Sequence, residues 1–415
     1  MTDMNAGVLI VGAGQAGIQL AVTLRDCGYP GAVTLVGAEP DPPYQRPPLS
    51  KAFLTGRADA AGLAFRTPGF YAQHEITLVC GERVNRITAD AAGSGVAEAA
   101  SGRTFGFTRL ALAMGGRSRR IDVVGAELDG ICYLRDVADA LLLRERLAAA
   151  ARLVVVGGGF IGLEIAAVAR ARGKNVTVVE AEDRLLARAV APVTSEFYRT
   201  AHRRRGTEVR LGAAVTGFLG ADGRVAGVEL SDGTVLPADL VLVSVGMAVD
   251  TGLAEQLGLA CDRGIVVDEL ARTSNAAIVA AGDCTTQRHR HSTGMIRLES
   301  VQNAVDQART AALTVAGAPR PYRDVPWFWS DQDTLKLKIA GLSGGYDRCV
   351  VRGDPGAESF SALYYRRGRL IAAECVNRAA DYLAVRRALS LGMTIPPVRA
   401  ADVDLPLKTL TAAVA

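Results

Sequence analysis

Six glycines and two acids form the strongest chemical pattern in this sequence. Gly12, Gly14 and Gly17 stand as G-x-G-x-x-G directly after the apolar run 8–11, and Glu39 lies beyond a second apolar run at 33–36. Gly157, Gly159 and Gly162 repeat the pattern after 153–156, with Glu180 closing the run 176–179. In such a turn the first glycine permits the tight bend, the second lets backbone approach a pyrophosphate, and the third lets helix and strand pack closely. The pyrophosphate then lies at a helix N-terminus, where free N–H groups and the helix dipole favour negative charge. The acid beyond the second strand can accept a hydrogen bond from a ribose hydroxyl. One such pattern is weak; two, each with strand, helix and terminal acid, predict two dinucleotide sites. A carboxylate at 180 suits a 2′-hydroxyl and repels a 2′-phosphate, so NADH is expected over NADPH. Arg184 and the arginines after it pull the other way.

A third acid, Asp283, follows Gly282 at the end of an apolar stretch beginning near Thr273. It is placed to hydrogen-bond a ribityl chain, or to cap a helix starting at Cys284. Two dinucleotides in one chain suggest one tightly held flavin and one exchanging nicotinamide. The seven cysteines are scattered, with no CxxC pair, no CxxxxC pair and no Cys/His cluster. Neither a disulfide framework nor a metal site is expected. No cysteine stands between Cys27 and Cys80.

These residues need elements to position them. The runs 8–11 and 153–156 are apolar throughout, as parallel strands covered on both faces should be. Helical spacing and a second strand follow each, giving two right-handed βαβ units. Strand-like pieces at 77–80 and 109–113 complete a first doubly wound sheet, and 114–120 reads as a crossover. Further strands are expected at 208–211, 225–230 and 239–243, an apolar strand within 273–285, and an amphipathic helix at 301–316. Pro42, Pro43, Pro47 and Pro48 exclude regular helix or central strand from 41–51, which must be a shaped loop. From Tyr322 the pattern changes: both tryptophans sit in PWFWSDQ, strands are expected at 360–365 and 370–375, and a helix at 380–391.

At 415 residues the chain exceeds one hydrophobic core, which stops growing near about 250 to 300 residues. The formal charge of +4 is far from the basic stripe of a nucleic-acid binder. The most apolar stretch, 153–163, is ended by Glu164, so no membrane span is expected. Asp3 lies near the start, with no basic-then-apolar leader, so the expected location is cytoplasmic.

The order of motifs resembles the glutathione-reductase-type pyridine nucleotide flavoproteins. Closer still, it is similar to the FAD-dependent NADH:ferredoxin reductases of the putidaredoxin reductase kind, which serve cytochrome P450 and ring-hydroxylating dioxygenase systems. The resemblance rests on both fingerprints, PYQRPPLSK (43–51), GGGFIGLE (157–164), GDC (282–284), RLESVQNA (297–304) and PWFWSDQ (326–332). It implies an α/β fold with two Rossmann-like dinucleotide-binding domains and a C-terminal α+β interface or dimerisation-like domain. A split FAD domain (5–115 and 246–325) would carry an inserted NAD domain (116–245), with the last domain at 326–412. Two departures stand out: Ala38 replaces an aspartate usual in the family, and 246–250 lacks the usual proline and asparagine.

Roles carried over by the resemblance are these. Lys51 and Glu164 form an ion pair beside flavin N5, where a preorganised charge stabilises the developing anion. Asp283 contacts the ribityl chain, Arg135 and Val84 the adenine side, Val301 the isoalloxazine edge, and Trp329 lies between flavin and protein partner. Ala16 and Arg46 complete the expected FAD contacts; Phe160, Ile161 and Gly246 complete those of NAD. NADH would pass a hydride to the flavin, which would release single electrons to a small acidic [2Fe-2S] ferredoxin docked on Arg309, Lys338, Arg386 and Lys408. Rival readings are a reductase of a quinone or of the monodehydroascorbate radical, and a redox signalling flavoprotein like apoptosis-inducing factor.

Overall fold

The computed structural model describes residues 7–412; Asp3 lies outside the described residues. The chain divides into two compact units, one of residues 1–45, 63–117 and 248–328, the other of 46–62, 118–247 and 329–415.

In the first unit a parallel sheet runs in the order Ile278–Ala280, Arg109–Leu112, Val8–Val11, Val33–Val36, Ile76–Val79. Its apolar strands have no polar face because both faces are covered. Val8 and Ile10 enter one core cluster with the helices Gln15–Asp26 and Val301–Val315, while Leu9 and Val11 enter another with Ile87, Phe105 and Phe107. The second cluster packs an antiparallel meander, Val84–Ala89, Gly95–Ala99 and Thr104–Phe107, that the sequence reading did not contain. The stretch expected within 273–285 contributes a strand of only three residues, Ile278–Ala280. No helix follows Asp283, so it is not an N-cap. The chain turns there and enters Thr285–Arg288, with Thr285 N–H donating to the Gly282 carbonyl at 3.0 Å.

In the second unit a parallel sheet runs Glu208–Leu211, Asn175–Glu180, Arg152–Val156, Leu240–Val243, Ile131–Cys132. The expected strand at 225–230 is the centre of a second meander, Val215–Ala221, Arg224–Leu230 and Val235–Pro237. Helices Val137–Ala149 and Pro192–Arg204 were not foreseen; the first is capped by Asp136, whose side chain accepts from Asp139 N–H. The C-terminal region is an antiparallel sheet, in the order Trp327–Gln332, Leu335–Gly341, Arg369–Val376, Ser359–Arg366, Arg348–Asp354, packed by the helix Ala379–Ser390. Its first strand crosses the 328/329 division between the units. Phe197 of the helix Pro192–Arg204 meets Phe360 of this sheet edge to face at 4.9 Å, and Ala191 N–H donates to Glu374 at 3.0 Å. Among the described residues, no helix is long and apolar enough to cross a membrane.

Candidate functional site

The first glycine turn is built by steric necessity. Gly12 has φ of +110°, and a Cβ there would fall 2.2 Å from the Ala113 carbonyl oxygen; one at Gly17 would fall 1.9 Å from the Gly12 carbonyl. Gly14 is different: a Cβ would meet nothing within 4 Å. Packing therefore does not demand glycine at 14, and the space over the helix start is open to a ligand. Gly14 is the N-cap of Gln15–Asp26 and provides no side-chain cap, so the first N–H groups of the helix are left for an anion. Ala16 is buried on the first turn, and a Cβ on Gly282 would lie 3.0 Å from its Cβ. The turn bearing Asp283 is thus seated against the fingerprint helix. Glu39 accepts a short hydrogen bond from Tyr44. Val301 is the first residue of its helix, which Ser300 caps by accepting from Asn303 N–H, and Val84 opens the outer meander.

The second turn repeats the design. Gly157 has φ of +105° against the Ser244 carbonyl, a Cβ on Gly162 would meet the Gly157 carbonyl at 2.4 Å, and Gly159 faces open space at the uncapped start of Phe160–Ala171. Ile161 is 44% exposed on that first turn, whereas Phe160 is half-buried. Glu180 is held at the turn by backbone: Gly158 N–H donates to its Oε2 at 2.7 Å and Glu182 N–H to its Oε1 at 2.9 Å. Each oxygen keeps acceptor capacity for a hydroxyl. Arg184, the residue that could welcome a 2′-phosphate, instead donates to the carbonyls of Val190 (2.8 Å) and Ala187. Gly246 takes φ of +100°, with the Arg188 guanidinium 3.0 Å from where its Cβ would be.

The proline loop belongs to the second unit from Arg46 onward and closes in a single 3-10 turn, Pro47–Ser50. That turn delivers Lys51 to the second glycine helix. Lys51 Nζ lies 2.6 Å from Glu164 Oε2, which also accepts from Ser50 Oγ at 2.5 Å, while Ser330 Oγ donates to Oε1 at 2.7 Å. Glu164 is only 4% exposed, a burial that an acid tolerates when paired and fully hydrogen-bonded. Arg46 donates to the Arg135 carbonyl at 2.7 Å, so these two predicted residues are neighbours. Trp329 is half-buried, adjoining the fully buried Ser330.

Residues 6–308 match the family model for pyridine nucleotide-disulphide oxidoreductases, and residues 327–411 match the reductase C-terminal domain. The chain belongs to the pyridine nucleotide-disulphide oxidoreductase family. Rhodocoxin reductase of Rhodococcus erythropolis is 46% identical over 401 residues, covering 97% of this chain and 93% of the relative. Among solved structures, the ferredoxin reductase for the CYP199A2 system from Rhodopseudomonas palustris matches at a TM-score of 0.94 and 43% identity, covering 98% of this chain and 100% of that one. The reductase in the covalent putidaredoxin reductase–putidaredoxin complex matches at 0.94 and 39%, covering 98% of each.

This pyridine nucleotide-disulphide oxidoreductase is an enzyme of a class that uses FAD and NAD(P)H. Its open glycine cradles and placed acids fit such groups. Its cysteines are all free, and burial pushes the Cys284 and Cys349 thiols up to about 11 and Cys375 to about 12. Thiols of that kind are not nucleophiles near neutrality. In the reductase C-terminal domain, Lys338 Nζ sits 5.4 Å over the Tyr382 ring, and Arg386 hydrogen-bonds the same tyrosine. Lys408 is exposed on the short turn Leu407–Thr409, which packs on the helix carrying both Arg386 and Tyr382. Arg309 belongs to the other unit and is paired with Asp306 at 3.0 Å. Sequence reasoning missed Ser50, Ser330, Gln332 and His202. Two of them lay inside a motif noted only for its tryptophan.

Proposed function

We propose that this chain is an FAD-containing NADH:ferredoxin reductase, passing electrons to a [2Fe-2S] ferredoxin that serves a cytochrome P450 or a ring-hydroxylating dioxygenase. The observation that carries the reading is a pair of open, uncapped glycine turns at 14 and 159 in a chain whose buried thiols are held protonated. Two dinucleotides can bind, and no dithiol stands ready to pass their electrons on. Likeness along nearly the whole chain, at 46% and 39% identity, to rhodocoxin reductase and to the reductase solved with putidaredoxin supports an external iron–sulfur acceptor.

Residues 5–115 and 246–325 hold FAD, 116–245 hold NADH, and 326–412 form the interface domain. Gly12, Gly14, Ala16 and Gly17 take the FAD pyrophosphate; Glu39 takes a ribose; Asp283 takes the ribityl chain; Val84, Arg46, Arg135 and Val301 complete the contacts. Gly157, Gly159, Phe160, Ile161, Gly162, Glu180 and Gly246 bind NADH. Bound FAD supplies the conversion of one hydride into two single electrons. Lys51 holds positive charge for that chemistry, Glu164 orients Lys51, and Trp329 lies on the route to the acceptor, a catalytic set made by the protein before substrate arrives. Lys338, Arg386 and Lys408, with Arg309, dock the ferredoxin. Free cysteines throughout the chain fit a reducing, cytoplasmic compartment.

The purified protein should carry close to one FAD per chain, and NADH should bleach its flavin absorption in the absence of oxygen. Protein that binds no flavin, or a flavin that NADH leaves oxidised, overturns the reading.

A further inference from the structure

Glu164 is the end of a longer chain of buried side chains. Ser330 Oγ donates to Glu164 Oε1 at 2.7 Å, Gln332 Nε2 donates to Ser330 Oγ at 3.2 Å, and His202 Nε2 lies 2.8 Å from Gln332 Oε1. A carbonyl oxygen only accepts, so His202 carries its proton on Nε2. All four side chains are sealed from water: Ser330 is 0%, Gln332 1%, His202 2% and Glu164 4% exposed. Every hydrogen in the chain points toward the carboxylate. Dipoles aligned in this way reinforce one another and sum at the charge. Ser330 and Gln332 sit two apart on Trp327–Gln332, so both face one side of the strand, with Trp329 turned to the other. His202 lies in the last turn of Pro192–Arg204, and burial lowers its proton affinity, keeping the imidazole neutral.

We propose that Ser330, Gln332 and His202 are positioning residues for the hydride step: a one-way hydrogen-bond chain that fixes the Glu164 carboxylate, and through it Lys51, in the orientation that flavin reduction requires. The proposal rests on the assignment of Lys51 and Glu164 to the flavin reaction. It also ties Trp329, the neighbour of Ser330, to the same frame. With Ser330 held at Glu164 and Gln332 held at His202, the strand carrying the tryptophan cannot slide without breaking both bonds.

The test uses the FAD-loaded full chain in stopped-flow mixing with NADH. Ser330→Ala should lower the limiting rate of flavin reduction roughly tenfold, the loss expected when one hydrogen bond to a charged group is removed. The NADH dissociation constant and FAD content should stay within about twofold of wild type, since these atoms lie outside both glycine turns. Ser330→Thr, which keeps the hydroxyl, should restore most of the rate; Gln332→Met should slow it in the same direction. Independently of turnover, histidine-labelled protein should show an exchange-protected Nε2–H on His202 in nitrogen-15 NMR, lost in Gln332→Met. In a Lys51→Met background, Ser330→Ala should cost little more, because it acts through Lys51. A wild-type rate in Ser330→Ala beside a slow Lys51→Met would overturn the chain and leave the pair standing. Equal losses in both backgrounds would overturn it too, and a wild-type rate in Lys51→Met would remove the pair and the chain together.

Discussion

Replacing Glu180 by Gln removes one charge and almost no volume at the end of Asn175–Glu180. In the wild type each carboxylate oxygen already accepts one backbone N–H, from Gly158 at 2.7 Å and Glu182 at 2.9 Å. A ribose hydroxyl bound there, as proposed, would share an acceptor whose charge strengthens every bond it takes. A hydrogen bond to a charged group contributes about 1.5 to 3 kcal/mol, so losing it should raise the NADH dissociation constant by roughly 10 to 150-fold. Glutamine also turns an NH2 group toward one of the two backbone donors, which loosens the turn and pushes the loss above the lower bound. NADPH should respond oppositely. A 2′-phosphate charge about 4 Å from the carboxylate is opposed by up to about 4 kcal/mol at an effective dielectric of about 20, and that repulsion vanishes. The preference for NADH should thus narrow by at least about tenfold, though not invert, because Arg184 remains bound to the Val190 carbonyl. Steady-state kcat/KM for each nucleotide, with ferricyanide as acceptor, reads both effects. An NADH value within twofold of wild type and an unchanged NADH-to-NADPH ratio would refute the placement of the ribose at Glu180.

Three other perturbations follow from the structure. Lys51→Met should slow flavin reduction by NADH while leaving NADH binding intact; a wild-type stopped-flow rate counts against its role. Arg352, 2% exposed, pairs with Asp381 at 3.2 Å and donates to the carbonyls of Ala400, Asp402, Val403 and Leu405. Arg352→Met should cost about 3 to 5 kcal/mol in denaturant unfolding, as breaking a buried pair does, and a loss below about 1 kcal/mol would contradict that account. Burial pushes the Glu374 carboxyl up to about 7, although Tyr364 and Ala191 donate to it. The folded state therefore binds a proton that the unfolded state has already released. Stability from this group is full below about pH 4.5 and falls by about 3 kcal/mol as pH rises to about 7. Glu374→Gln should flatten that part of the stability profile, and an unchanged slope would exclude Glu374 as its source.

The features most legible in the sequence were local ones with a strict period. Val8–Val11 and, beyond the exposed Arg152, residues 153–156 are buried on both faces, which leaves an uninterrupted apolar run that no polar alternation disguises. The glycines were legible because chain geometry demands them at Gly12 and Gly157. The meander around Gly95–Ala99 was missed because its strands are short and half exposed, with Glu98 and Ala97 alternating where a longer apolar run would have signalled a strand. The helix Pro192–Arg204 was missed for a related reason: its arginines, the half-buried Arg199 and the exposed Arg203 and Arg204, mask the buried line of Phe197, Tyr198 and Ala201. The hydrogen-bond chain was beyond sequence reading altogether. Ser330 and Glu164 are 166 positions apart, and only the folded sheet and helix bring them to 2.7 Å.

The most direct test of the central claim is NADH-driven reduction of cytochrome c with and without a purified [2Fe-2S] ferredoxin, with ferricyanide reduction measured alongside. Turnover should be low without the ferredoxin, should saturate as it is added, and should fall between about 50 and 200 mM salt as the docking charges are screened, while ferricyanide reduction barely changes. Charge reversal at Arg386 should mimic the effect of salt. Rapid NADH turnover on a quinone, combined with no gain from any [2Fe-2S] ferredoxin, would contradict the account and return the chain to the reductases of small acceptors.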